Sequence, residues 1–170
     1  ADFILLGAMN PCPCGYLGDT QKQCTCTDFQ VQRYRSRLSG PLLDRIDIQI
    51  EVPRLTTEEL LNTKIKSETS EDIRKRVVKA RKIQYERYKN YPILTNSQLN
   101  AELIKIFCKL DEKCETLLKT AIAKFNLSGR SYDRILKLAR TIADIEGSEN
   151  IESAHIAQAL QYRNFVENNV

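Results

Sequence analysis

Four cysteines fall within a short stretch near the start of the 170-residue chain: Cys12 and Cys14, then Cys24 and Cys26. Two Cys-x-Cys pairs that a loop can fold face to face offer the tetrahedral thiolate set that structural zinc takes. One residue separates the thiols of each pair, Pro13 in the first and Thr25 in the second. That is tighter than the gap of two to four residues usual in zinc ribbons. Three states are therefore open: a zinc site, reduced thiols without metal, or oxidised pairs. In the zinc case sulfur fills every coordination position, and no nearby histidine or carboxylate serves as base. The ion would then clip the loop and would not act as a Lewis acid. Cys108 and Cys114 stand apart from this cluster, and Cys114 is in phase with Leu117, Leu118, Ala121 and Ile122. Both read as small buried hydrophobes.

Other polar residues stand at places where chemistry could be done. Asn10 follows an apolar run and precedes Pro11; taken alone, it reads as a turn-former. Arg45 lies in Leu42-Leu43-Asp44-Arg45-Ile46-Asp47, and alone it reads as a surface arginine paired with Asp44 or Asp47. Arg130 falls in the first turn of an expected helix, where the N-terminus favours anions. Arg134, one turn on, is its fallback, and Arg140 reads as structural. The single histidine, His155, has no cysteine or carboxylate at ligand spacing and reads as a surface or capping residue. No Ser–His–Asp arrangement is recognisable.

The elements that must position these residues follow from periodicity. Residues 3–8 are a continuous apolar run, the pattern of a buried strand. Two prolines and Gly15 force a turn through the first cysteine pair. Thr27 and Asp28 offer a cap for a helix over 29–38, and residues 42–44 form at most one further turn. Ile46, Ile48 and Ile50 alternate with Asp47, Gln49 and Glu51, the period of a half-buried strand over 46–52, which Pro53 ends. A linker over 54–69 follows, with a helical turn possible at 58–62. From Ser70, read as a cap, a helix runs to about residue 89 with Ile73, Val77, Ala80 and Gln84 on one face. Between residues 70 and 90 there are eight basic residues (Arg74, Lys75, Arg76, Lys79, Arg81, Lys82, Arg87, Lys89) and three acidic ones (Glu71, Asp72, Glu86), an excess of 8 − 3 = +5 that exceeds the whole chain's +4. This is either a solvated face or a basic surface for nucleic acid or a neighbouring subunit. A short helix over 96–107, one capped by Asp111 and one capped by Ser128 come next. The last of these carries the stripe Tyr132, Ile135, Leu136, Ala139, Ile142 and Ala143 and ends at Gly147. Ser153 would cap a final helix to about residue 163, with fraying after residue 164.

Two strings are idiosyncratic enough to carry a resemblance: FILLGAMNPCPCG followed by RYRSRLSGPLLDRIDIQIEVP, and later SGRSYDRILKLARTIADIEG. They resemble the magnesium-chelatase-like AAA+ ATPases of bacteria, the competence type in particular. The resemblance implies a mainly α fold with a small α/β remnant. Residues 1–53 would be the end of the ATPase core with the four-cysteine insertion, 54–69 a linker and 70–165 an all-helical lid. It implies a sensor-one role for Asn10, placing the attacking water near the γ-phosphate. Arg45 becomes the arginine finger reaching a neighbour's nucleotide, where its planar fork neutralises charge in the transition state. Arg130 becomes the sensor-two arginine of the lid. ATP and Mg²⁺ would be the cofactors, a homo-oligomeric ring (a hexamer) the assembly, and DNA the partner.

No Gly-x-x-x-x-Gly-Lys-[Ser/Thr] loop and no strand ending in an Asp-Glu pair is present, so the parts that grip triphosphate and metal would lie outside this chain. The chain opens inside an expected strand and reads as a piece of a longer polypeptide. It should not hydrolyse ATP alone, and residues 1–53, whose strands lack partners, should be rearranged, mobile or paired with another chain while the lid stays well packed. Net charge is +4, too small by itself to argue for nucleic acid. No apolar run is long enough to span a bilayer and no leader is visible, so the expected location is the cytoplasm. Two other classes stay open. One is a zinc-containing nucleic-acid-binding module using the basic helix, in which Lys79, Arg81 and Lys82 carry salt-dependent DNA affinity. The other is a non-catalytic interaction domain.

Overall fold

A computed structural model describes residues 3–56, 58, 61, 67–125 and 127–163. Its elements are α1 (Asp28–Arg35), α2 (Gly40–Leu43), α3 (Ser70–Tyr88), a 3₁₀ turn (Asn96–Gln98), α4 (Ala101–Phe107), α5 (Glu112–Phe125), α6 (Gly129–Glu146) and α7 (Ser153–Gln161). The mainly α expectation holds and the architecture is that of a helical lid. The two expected strands do not form: residues 3–8 and 46–52 have no regular secondary structure, and no strand occurs among the described residues. A strand survives only if a neighbour takes its backbone groups and covers its apolar face. Here the run from Phe3 to Leu6 is 72–95% exposed, and Ile48, Ile50 and Val52 are exposed too. What remains of the expected α/β remnant is coil plus α1 and α2. The linker turn at 58–62 lies mostly outside the described residues, as does the expected fraying after residue 164.

α3, α4, the 3₁₀ turn and α7 pack on α6, and α5 packs on α7. Ser128 caps it by accepting a hydrogen bond from the Ser131 amide. Gly147 ends it in the left-handed region at φ 79°, where the Ser148 amide reaches back to the Ala143 carbonyl at 2.8 Å. Ile135, Leu136 and Ala139 are buried in one cluster with Leu118 of α5 and Ile156 and Ala159 of α7, and Ala143 is buried too. Tyr132, expected on this stripe, is instead partly exposed, and the buried face begins at Ser131. Cys108 and Cys114 are buried in the core as small apolar groups.

Two helix starts differ from expectation by one residue. Thr69, not Ser70, caps α3 through the Asp72 amide. Glu152, not Ser153, opens α7, in a reciprocal cap with His155. The His155 Nδ1 accepts from the Glu152 amide at 2.9 Å, which puts its proton on Nε2, 3.0 Å from Glu146. His155 is therefore a buried capping residue, not a surface one.

A buried polar cluster fastens α3 to α6. Asp144 is wholly buried; it pairs with Arg87 of α3 and, at 3.1 Å, with Arg140. Asn96 donates to Asp144 and to Thr141, both at 2.9 Å, and accepts from the Tyr88 hydroxyl at 2.6 Å. Arg140 also donates to the carbonyls of Ser148 and Glu149, so its structural reading holds. Packing on α3 starts only at Ala80: residues 70–79 are exposed, including Ile73 and Val77 of its apolar face.

Candidate functional site

The cysteines come together as the sequence led us to expect. All four Sγ atoms lie within 4.8 Å of one another. The separations are 3.4 Å for Cys12–Cys14, 3.7 Å for Cys12–Cys24 and 3.5 Å for Cys14–Cys24. None of these is a bonded disulfide distance, and all six cysteines are free. Four sulfurs bonded tetrahedrally to zinc at about 2.3 Å would lie about 3.8 Å apart. The knot is thus close to the size and shape of a thiolate metal site, and its donor set suits zinc.

Local sequence builds this knot. The Gly15 amide closes a turn onto the Cys12 carbonyl at 3.0 Å, and Gly15 takes φ 84°, which its missing Cβ permits. Asp19 turns the intervening loop by accepting from the amides of Gln21 and Lys22. Amides then aim at sulfur, from Cys14 to the Cys26 Sγ and from Cys26 to the Cys24 Sγ, both at 3.4 Å. The backbone N–H of Tyr16, then that of Thr25, pulls the Cys14 thiol down to about 5. Desolvation, foremost, pushes Cys26 up to about 12. α1 is tied on through the Arg35 Nε, which donates to the Pro11 carbonyl at 3.3 Å.

Asn10 stands beside the knot. It is exposed, and a Cβ on Gly15 would lie 3.8 Å from its Cγ and Nδ2. Among the described residues no hydrogen bond joins Asn10 to Arg45 or Arg130. Arg45 is exposed at the end of α2 and donates to the Pro41 carbonyl at 2.7 Å. Arg130 is exposed in the first turn of α6, with no ion pair among the described residues.

The structure brings the surroundings of the two arginines together. Asp44, which precedes Arg45, reaches Ser131, which follows Arg130: the Ser131 hydroxyl donates to the Asp44 Oδ1 at 2.5 Å and that of Ser128 to its Oδ2 at 3.1 Å. Arg163 donates to the Asp44 carboxylate at 3.1 Å, and to the carbonyls of Asp44 and Ile46, each at 3.2 Å. Arg134 donates to the Arg45 carbonyl and pairs with Asp47. These bonds, with that of Ser131 foremost, hold the Asp44 carboxyl below its usual range. Sequence reasoning placed Asp44 or Asp47 on Arg45; the structure gives them to Arg163 and Arg134 instead. It also occupies Arg134, the fallback for Arg130. The joint of Asp44, Ser131 and Arg163 went unread, because partners 87 and 119 residues apart leave no periodic trace.

On α3, Arg74, Arg81 and Lys82 are exposed and form no ion pair among the described residues. Lys75 pairs with Glu71 and Arg76 with Glu68. No helix is long and apolar enough to cross a membrane.

Two sequence profiles match the chain: "Magnesium chelatase, subunit ChlI" over residues 1–60 and "Magnesium chelatase, subunit ChlI C-terminal" over residues 67–163. Similar proteins include the Competence protein ComM of Haemophilus influenzae, 45% identical over 98% of this chain and 31% of that protein. The uncharacterised protein YifB of Escherichia coli is 38% identical over 96% of this chain and 31% of its own length. An uncharacterised protein of Mycobacterium bovis is 32% identical over 96% and 32% respectively. The chain thus spans about a third of the length of the relatives it matches. With both profiles and these relatives covering nearly all of it, the chain belongs to the magnesium chelatase subunit ChlI family, a group of AAA+ type proteins.

Proposed function

We propose that this chain is the C-terminal part of an ATP-driven ring motor, a hexamer, that acts on DNA in the cytoplasm. Residues 1–53 end the ATPase core, 54–69 link, and 70–165 form the lid. Asn10 orients water on the subunit's own nucleotide, Arg45 serves the neighbour's, and Arg130 couples nucleotide state to the lid. ATP and Mg²⁺ are held mainly by segments outside this chain, which alone does not turn over ATP. Zinc on Cys12, Cys14, Cys24 and Cys26 fixes the loop beside Asn10.

One observation carries the reading: Arg45 is the exposed arginine of a segment whose two flanking acids, Asp44 and Asp47, are both engaged elsewhere. Neither acid neutralises its guanidinium, which donates to the Pro41 carbonyl and has no ion pair among the described residues, so it can meet an anion from outside this chain. The DNA role draws support from the relative named Competence protein ComM. Replacing Arg45 by alanine in the intact protein tests the reading. ATP turnover should fall by about 10³-fold, the scale of an arginine finger. Unchanged turnover would favour a non-catalytic interaction domain.

The cations of α3 that have no acidic partner among the described residues favour a second reading, a nucleic-acid-binding module. It requires salt-dependent DNA affinity from this chain alone, weakened by replacing Lys79, Arg81 and Lys82.

A further inference from the structure

We infer that Asp44 is a positioning residue: it latches the segment bearing Arg45 to the N-terminus of α6, so that a subunit's own lid sets the finger it offers to its neighbour. The inference rests on the finger reading of Arg45 and goes beyond it by naming what aims the finger.

The geometry is one of convergence. The Asp44 carboxylate accepts from two hydroxyls of the same helical turn, Ser128 and Ser131, and from Arg163 just past α7. Ser131 and Arg163 are buried, so this is a built socket and not a chance surface contact. The Ser131 hydroxyl and Arg163 also meet each other at 3.2 Å. The backbone on either side is held as well. Arg163 takes the carbonyls of Asp44 and Ile46, Arg134 takes that of Arg45, and the Gln49 amide donates to the Tyr162 carbonyl at 2.8 Å. The Arg45 side chain makes no bond within this socket: it is exposed and donates to the Pro41 carbonyl.

Two consequences follow. A lid that shifts must carry the Arg45 backbone with it, because the socket is made entirely of lid residues. The same turn of α6 holds Arg130, so an anion drawn to Arg130 acts one residue from the Asp44 latch. Lid state on one subunit is thereby transmitted to the next subunit's nucleotide through a single peptide unit.

The test is a double-mutant cycle on ATP turnover by the intact protein. Asp44→Ala should lower kcat by about 10- to 100-fold, the range for a misplaced catalytic group, with KM for ATP little changed. In an Arg45→Ala background the same substitution should cost nothing more, since there is no finger left to aim. Ser131→Ala is the gentler companion if Asp44→Ala fails to fold, and it should show the same loss of effect. Equal losses with and without Arg45 would overturn the latch and leave the finger reading standing. If Arg45→Ala alone leaves turnover intact, the finger reading falls and the latch falls with it.

Discussion

Cys14 and Cys26 stand on opposite sides of the ordinary thiol range while sharing one knot. Backbone N–H groups draw Cys14 down to about 5, and desolvation pushes Cys26 up to about 12. Amides alone thus favour some thiolates of the four and not all of them; a cation at the centre would deprotonate the whole set. We expect purified protein to carry about one zinc per chain by elemental analysis. Stripping it with a chelator should make the buried Cys12 reactive towards a thiol reagent. Metal-free protein whose Cys12 stays protected would refute this, because the knot would then hold without an ion. The cysteine spacing was legible in the sequence, and the Cys12–Gly15 turn follows from its proline and glycine. The amides that tune each sulfur were not, since they depend on the loop's closed conformation.

At the scale of elements, α6 is the member on which α3, α4 and α7 pack, while α5 packs on α7. Its ends were legible because capping is local: Ser128 and Gly147 do what their types favour. Its buried ions were not. Asp144 faces Arg87 from α3 and Arg140 from its own next-lower turn, and only folding brings the first of these near. Removing a single partner leaves charge buried without compensation. Asp144→Asn should therefore destabilise the chain by about 3–5 kcal/mol in denaturant titration. A loss well under 1 kcal/mol would mean that water reaches Arg87 and Arg140 after all. Residues 3–8 and 46–52 illustrate the opposite limit of sequence reading. Their apolar patterns are genuine strand patterns, but a pattern states what a segment can pair with and not whether the pair is there. With no second strand among the described residues, Ile48 and Ile50 remain in solvent.

Taken as a whole, the molecule has two centres between which no hydrogen bond joins Asn10 to Arg45 or Arg130 among the described residues, and which the proposed function would join. One is the cysteine knot with Asn10 beside it; the other is the joint where Asp44 and Ser131 bring the neighbourhoods of Arg45 and Arg130 together. In the proposed ring each nucleotide would be served by two subunits, Asn10 from one and Arg45 from the other. Mixed assemblies of the intact protein test that division most directly. Asn10→Ala and Arg45→Ala proteins should each hydrolyse ATP poorly. Mixed in equal amounts and allowed to exchange subunits, they should regain activity at about a quarter of the interfaces, where an unaltered Asn10 meets an unaltered Arg45. Mixtures no more active than their components would contradict the cross-subunit placement of Arg45.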